Sequence, residues 1–284
     1  RKGGDSLQGR HFHYELWPLM FDELFSQGTK KKKLASPRDF ATWEPEPVDS
    51  NDQDLIQLGG FPAAFLKGTA AYLNKWNNQY IGRLIFEDTR DFAAIQQLDK
   101  LDLLARLLPS RLTSPLSEKS LAEDLEVSPI TVKAWLKLLE TLYLGFSVHP
   151  YHRRLERAVK KERKWYFYQW TFAENEGARF ENYMAVQLNA AISSWNEQGH
   201  GRYELCYLRD QDRREVDFLI SHNLTPVGLI EIKSSPCDFP AGLSYYAKKL
   251  KIPAFLIYPH GPTKKHPLGF SRSSNKFLNS LVLS

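Results

Sequence analysis

The sequence predicts an α/β protein: a helical N-terminal part, a short helix–turn–helix–ribbon unit, and a C-terminal mixed sheet with flanking helices. Three observations carry this expectation. Apolar residues recur at three- and four-residue spacing through residues 55–108, the period of packed helices. Two stretches, each opened by a serine able to cap a helix, follow one another at Ser117 and Ser128. From residue 176 onward helix and strand patterns alternate, which suggests a central sheet covered by helices.

A chain of 284 residues is long enough for roughly two domains. Charged residues make up 25% and hydrophobic residues 42%, an ordinary globular balance that argues against overall disorder. The formal net charge of +5 permits an anionic partner. No apolar run reaches the roughly 18 residues of a spanning helix, so nucleic acid ranks above membrane as that partner. Cys206 and Cys237 are the only cysteines, and neither has metal-binding spacing. They read as free thiols of a reducing, cytoplasmic compartment. The chain starts at Arg1 without an initiator Met or a signal-peptide pattern, so it is expected to be part of a longer protein.

Along the chain, Gly3-Gly4 reads as a turn, residues 12–16 as a short strand and residues 18–25 as a helix. His11 and His13 alternate on that strand without a third ligand, which favours a structural role. A lysine run at 29–33 reads as solvated surface, and Pro37, Pro45 and Pro47 mark a polar loop. After the turn Gly59-Gly60-Phe61-Pro62, helices are expected over 63–79, 80–92 and 94–108. Ser117 can cap a helix burying Leu121, Ala122 and Leu125. Ser128 can cap another that starts with Pro129 and buries Val132, Trp135, Leu136, Leu139 and Leu142. Strands at 145–151 and 165–168 then complete the order of a winged helix. The last third reads as a helix over 176–195, strands at 203–209, 215–220 and 227–233, a helix at 241–250 and a buried strand at 254–258. Turns are expected at Asp210-Gln211-Asp212 and at Ser221-His222-Asn223.

The chemistry concentrates on two of these strands. Alternation places Val216, Phe218 and Ile220 on one face and Asp217 on the other. Glu231 and Lys233 share a face, and Ile230 and Ile232 point away into a core. Pairing of the two strands as a hairpin would bring Asp217 to Glu231 and Lys233. Two carboxylates on one face need a proton or a cation between them. A hard ion such as Mg²⁺, or Mn²⁺, takes oxygen ligands, here Asp217, Glu231 and the backbone carbonyl of Ile232. It would stabilise charge on a phosphate and acidify a bound water, with Lys233 orienting that water or holding the phosphate. Glu181, on the preceding helix, is an additional acidic group.

Several stretches in order carry a resemblance. They are Gly3-Gly4-Asp5-Ser6-Leu7 with Gly9-Arg10, Gly59-Gly60-Phe61-Pro62, Glu87-Asp88-Thr89-Arg90-Asp91 and Ser120-Leu121-Ala122-Glu123-Asp124-Leu125. Further on come Lys164-Trp165-Tyr166-Phe167-Tyr168, Gly177-Ala178-Arg179-Phe180-Glu181-Asn182, Arg213-Arg214-Glu215-Val216-Asp217-Phe218-Leu219-Ile220 and Ile230-Glu231-Ile232-Lys233. On these, nearly the whole chain resembles the C-terminal part of bacterial and archaeal AAA-type ATPases with an appended PD-(D/E)XK nuclease-like domain. The resemblance implies a residual ATPase lid region at 1–108, a winged helix-turn-helix at 109–170 and a restriction-endonuclease-like mixed sheet with flanking helices at 171–284. It places Glu181, Asp217, Glu231 and Lys233 at the positions of the family's catalytic motif. It also implies a partner, the ATPase domain that would precede this chain. Two departures stand out. No Gly-x-x-x-x-Gly-Lys-Ser/Thr loop is present, so no ATP site is expected here, and Gln169 stands where the family often has Asp.

The expected activity is Mg²⁺-dependent hydrolysis of a phosphodiester bond in DNA, with RNA as a variant. The backbone would be held by Arg153, Arg154, Arg157, Lys160 and Lys161 of the wing, a cluster that also counts Arg163 and Lys164, and by Lys133 and Lys137 of the second capped helix. The alternative is a catalytically inactive nuclease-fold module that binds DNA or a protein partner, or regulates the ATPase. Asp210 and Asp212 read as turn formers, and the run Trp165-Tyr166-Phe167-Tyr168 as strand core.

Overall fold

The computed structural model describes residues 14–25, 51–87, 97–152 and 162–281. His11, His13, the lysine run at 29–33 and the wing residues Arg153, Arg154, Arg157, Lys160 and Lys161 lie outside the described residues. The architecture is mixed α/β, with a nine-stranded sheet and helices packed on it.

The N-terminal helices are α1 (Phe21–Phe25), α2 (Gln53–Leu58), α3 (Pro62–Lys67), α4 (Ala70–Phe86) and α5 (Leu98–Leu107). Residues 14–16 form no strand, contrary to expectation. The helix expected over 63–79 is two helices. Gly68 adopts φ 62°, which ends α3, and Thr69 starts α4 by accepting a hydrogen bond from the Tyr72 N–H (3.3 Å). The expected break at residue 80 is absent, and α4 runs through it. Periodicity alone did not register the Gly-Thr pair as a stop followed by a cap.

The capped pair forms as the sequence predicts. Ser117 accepts from Ser120 N–H at the start of α6 (Glu118–Leu125), and Ser128 accepts from Thr131 N–H at the start of α7 (Pro129–Thr141). Strands β1 (Pro115–Leu116), β2 (Gly145–Pro150) and β3 (Arg163–Phe167) follow this pair in space, with β3 antiparallel to both of its neighbours. Trp165 and Phe167 of β3 pack into an apolar cluster with α4 to α7, while Tyr166 points into a second cluster.

The C-terminal part contains the long helix α8 (Glu176–Glu197), β4 (Tyr203–Arg209), β5 (Glu215–His222), β6 (Thr225–Ile232), α9 (Ala241–Leu250) and β7 (Ala254–Tyr258). It ends with β8 (Lys264–His266), β9 (Gly269–Ser273) and α10 (Ser274–Asn279), which the sequence reading did not anticipate. The strand order is β1-β3-β2-β4-β5-β6-β7-β9-β8. Strand β2 joins the two groups by pairing parallel with β4 at His149–Cys206 and Pro150–Tyr207. One sheet face, with Phe218, Ile220, Ile230 and Ile232, packs on α8. The other, with Leu219, Leu229 and Leu256, packs on α9.

Two local details differ from expectation. The β5–β6 hairpin turns at Asn223-Leu224 (φ 49° and 63°), one residue later than predicted, and Ser221 and His222 belong to the strand. Positive φ at both turn positions matches the twist of the flanking strands. Val216 packs with Leu219 on the α9 side, not with Phe218 and Ile220. The β4–β5 register shifts nearby, between Cys206 and Leu208, and such a bulge adds local twist that breaks simple alternation.

Gly269 sits opposite Ala254 in the β7–β9 pair with φ 153°, and a Cβ there would collide with the Ala254 carbonyl oxygen. Gly269→Ala is expected to cost more than about 1 kcal/mol. Urea unfolding followed by circular dichroism measures it, and an unchanged midpoint would contradict this close strand approach.

Candidate functional site

The β5–β6 ladder ends at the pair Phe218–Ile230. Beyond it the Ile232 N–H, which would continue the ladder, instead donates to Asp217 Oδ2 at 2.8 Å. The Asp217 side chain thus takes the place of a strand partner, and its second oxygen is left to other groups. On the far side of β6 the ladder continues, with Lys233 N–H donating to Ile257 O at 2.9 Å. This one-sided loss of pairing makes the gap in which the acids meet.

Glu231 and Lys233 share a face, as strand alternation requires, and Lys233 Nζ donates to Glu231 Oε1 at 2.6 Å. Glu231 is only 7% exposed, and its Oε2 is buried without a hydrogen-bond partner among the described residues. Asp217 lies within electrostatic reach of both groups. The structure brings Glu231 and Lys233 into contact and bonds Asp217 to the backbone of Ile232, the residue between them.

Glu181 joins them through a residue assigned elsewhere. Lys164 of β3, counted with the basic wing on sequence grounds, is fully buried. Its Nζ lies 2.6 Å from Glu215 Oε1 and 3.5 Å from both Glu181 Oε1 and Asp217 Oδ1. The contact with Glu215 is the shortest of the three, an ion pair inside the protein. Tyr166, two residues along the same strand face, donates to Glu181 Oε1 at 2.7 Å. Asn182 fixes the helix against the strand: it accepts from Phe167 N–H (3.0 Å) and donates to Phe167 O (2.7 Å). Sequence reasoning missed Lys164, Glu215 and Tyr166 as parts of the site. The available signal was alternation: Trp165 and Phe167 are core residues, so Lys164 and Tyr166 had to share the opposite face.

Arg163 is also no free wing cation. It reaches Glu118 at 3.0 Å and Glu140 at 3.7 Å. On α7, Lys133 and Lys137 are exposed beside Ile130, which is 81% exposed, and Lys137 contacts Glu140 at 3.4 Å. Asp210 accepts from the Arg214 N–H (3.0 Å) and guanidinium (2.8 Å), the turn-forming role the sequence predicts. A cleft of about 410 Å³ lined by Trp17, Phe21, Gln187 and Trp195 includes none of the site acids.

Burial pushes Glu181 up to about 8, with Asp217 adding to the effect and Lys164 opposing it. Burial likewise pushes Glu231 up to about 7, reinforced by Asp217 and opposed by Lys233. For Lys164, burial favours the neutral amine, but Glu181, Asp217 and Glu215 outweigh it and hold the ammonium form. Lys233 is raised by its bond to Glu231 against the same burial. The two glutamates therefore keep their protons at pH values where the unfolded chain has lost them. Their contribution to stability is fullest below the ordinary glutamate value of 4.5 and is lost as pH rises to about 8. The same protons compete with a metal ion, so Mn²⁺ affinity is expected to rise between pH 6 and 8 with proton release. Calorimetry in buffers of different ionisation enthalpy measures this, and pH-independent binding without proton release would contradict it.

The residues fit a hard divalent cation. The donors are oxygens, Glu231 Oε2 has no partner, and the Ile232 backbone faces the same gap. Among the described residues no group of three or more His, Cys, Asp or Glu side chains is arranged as a metal site. A cation here would thus rest on two carboxylates, the Ile232 carbonyl and water.

Fold and site together define a mixed α/β protein with a buried acid–lysine cluster at the frayed end of a β-hairpin. Residues 52–171 match a family model described as a domain of unknown function, DUF8612. The matched stretch includes Lys164 and ends before Glu181, Asp217, Glu231 and Lys233. No curated protein and no solved structure matches the chain. No helix among the described residues is long and apolar enough to cross a membrane.

Proposed function

We propose that the C-terminal part of this chain is a PD-(D/E)XK-type, restriction-endonuclease-like domain that hydrolyses phosphodiester bonds of DNA with Mg²⁺ or Mn²⁺. The observation that carries the reading is the meeting of Asp217, Glu231 and Lys233 where the β5–β6 ladder opens, with a buried, unpartnered Glu231 oxygen. Asp217, Glu231 and the Ile232 carbonyl would hold the ion. When bound, the ion supplies a Lewis acid and a more acidic water. Lys233 would orient the attacking water or steady the scissile phosphate, and Glu181, kept in place by Tyr166, would complete the acidic wall. The pair α6–α7 with β2 and β3 has the element order of a winged helix, and the exposed Lys133 and Lys137 suit phosphate contacts. On this reading the helices before it would be the lid region of an AAA-type ATPase.

Plasmid cleavage with Mg²⁺ or Mn²⁺ tests the reading, comparing wild type with Asp217→Ala and Lys233→Ala. Metal-dependent nicking lost in both variants supports it, and identical background in all three removes it. A second reading has one observation in its favour. Lys164 already supplies a buried positive charge to Glu181, Glu215 and Asp217 from within the chain, as a metal-free module that binds DNA or a protein partner would require.

A further inference from the structure

We propose that Lys164 is a tethered counter-ion that sets the affinity of the acidic site for divalent metal, an inference that rests on the metal-site reading above. The ammonium is fully buried and touches carboxylates from two elements, Glu181 on α8 and both Glu215 and Asp217 on β5. It reaches Asp217 through Oδ1, the oxygen that the Ile232 N–H leaves open. A divalent ion using that oxygen would have a positive charge as its neighbour, in surroundings that screen charge poorly. Glu231 meets a different ammonium, that of Lys233 at 2.6 Å from Oε1, and its Oε2 makes no hydrogen bond among the described residues. Lys164 therefore weakens the hold of Asp217 on the ion.

The placement of Lys164 has a further consequence. It comes from β3, whose Trp165 and Phe167 are anchored in the cluster formed with α4 to α7. The acids come from α8, β5 and β6. Metal affinity at the site is in this way tied to how β3 is seated, and the tie is reciprocal: an ion that disfavours Lys164 at Asp217 also loosens β3 there.

The experiment measures Mn²⁺ binding by calorimetry and by electron paramagnetic resonance on the full chain, without DNA. It compares wild type, Lys164→Met and the double variant Lys164→Met/Glu215→Gln. Removal of the ammonium alone is expected to tighten Mn²⁺ binding by about tenfold or more. The double variant removes one positive and one negative charge together and is expected to return near the wild-type value. Thermal unfolding with and without Mn²⁺ should show a larger metal-induced shift for Lys164→Met than for wild type. Should Lys164→Met fail to fold, Lys164→Gln, which keeps a polar head, takes its place. Equal Mn²⁺ affinity in all variants would overturn the counter-ion role while leaving the metal site standing. Absence of Mn²⁺ binding in every variant would remove the metal site itself, and this inference with it.

Discussion

Asp217→Asn is expected to reduce metal-dependent DNA cleavage by about 10²–10³-fold while leaving the melting temperature nearly unchanged. The separation follows from the two jobs of this side chain. One oxygen accepts the Ile232 N–H at 2.8 Å, and an asparagine carbonyl accepts that bond equally well. The other oxygen faces Lys164 at 3.5 Å and, on the proposed reading, a cation. Asparagine removes the charge there and keeps the shape. Loss of one group that stabilises charge in a transition state typically costs a factor of about 10²–10³. Lys233→Ala is expected to cost a similar factor, through loss of the ammonium bonded to Glu231 Oε1. Single-turnover cleavage of plasmid, with calorimetry of each protein, measures both parts. A variant that cuts as well as wild type would end the hydrolase reading. An Asp217→Asn protein that neither folds nor cuts would show that the charge facing Lys164, rather than the Ile232 bond, is what the fold needs.

Trp170→Ala carries the largest stability effect expected from a single side chain. Trp170 is fully buried, and its indole N–H donates to the carbonyls of Leu55 (3.0 Å) and Ile56 (3.2 Å). Those carbonyls lie in the last turn of α2, where the Leu55 carbonyl also accepts from the Gly59 N–H at 3.0 Å. The ring also meets Tyr183 of α8 edge-on, with centroids 5.2 Å apart. One side chain thus joins α2 to the core beneath the sheet. Truncation of a buried Trp costs about 3–5 kcal/mol, a large part of a typical stability of about 5–15 kcal/mol. For a chain of this size that corresponds to about 10 °C in melting temperature. Trp170→Phe, which keeps an aromatic ring but loses the donor, should fall between the two. Differential scanning calorimetry decides it, and a shift below about 2 °C for the alanine variant would mean that α2 is held by other contacts.

Local physics made much of this protein readable. Ser117 and Ser128 announced their helices because a cap acts within three residues of itself. The face shared by Glu231 and Lys233 followed from strand alternation, and their 2.6 Å bond shows the result. Apart from the local Gly68-Thr69 stop and cap, the misses in the sheet came from non-local terms. The bulge in the β4–β5 pair moved Val216 to the α9 side. The strands β8 and β9 are short, and β9 is defined by pairing with β7 rather than by its own pattern. Lys164 was grouped with its basic sequence neighbours, because sequence shows charge but not the burial that gives the charge its role.

By itself, then, the sequence determined the α/β class, the capped helix pair and the meeting of Asp217 with Glu231 and Lys233. Each depends on contacts between near neighbours or on one hairpin. Only the tertiary structure decided that the ladder opens at Ile232, that Glu181 enters from α8, and that the cation among these acids is Lys164. Those features join residues from β3, α8, β5 and β6, and burial at their junction fixes which charges need one another.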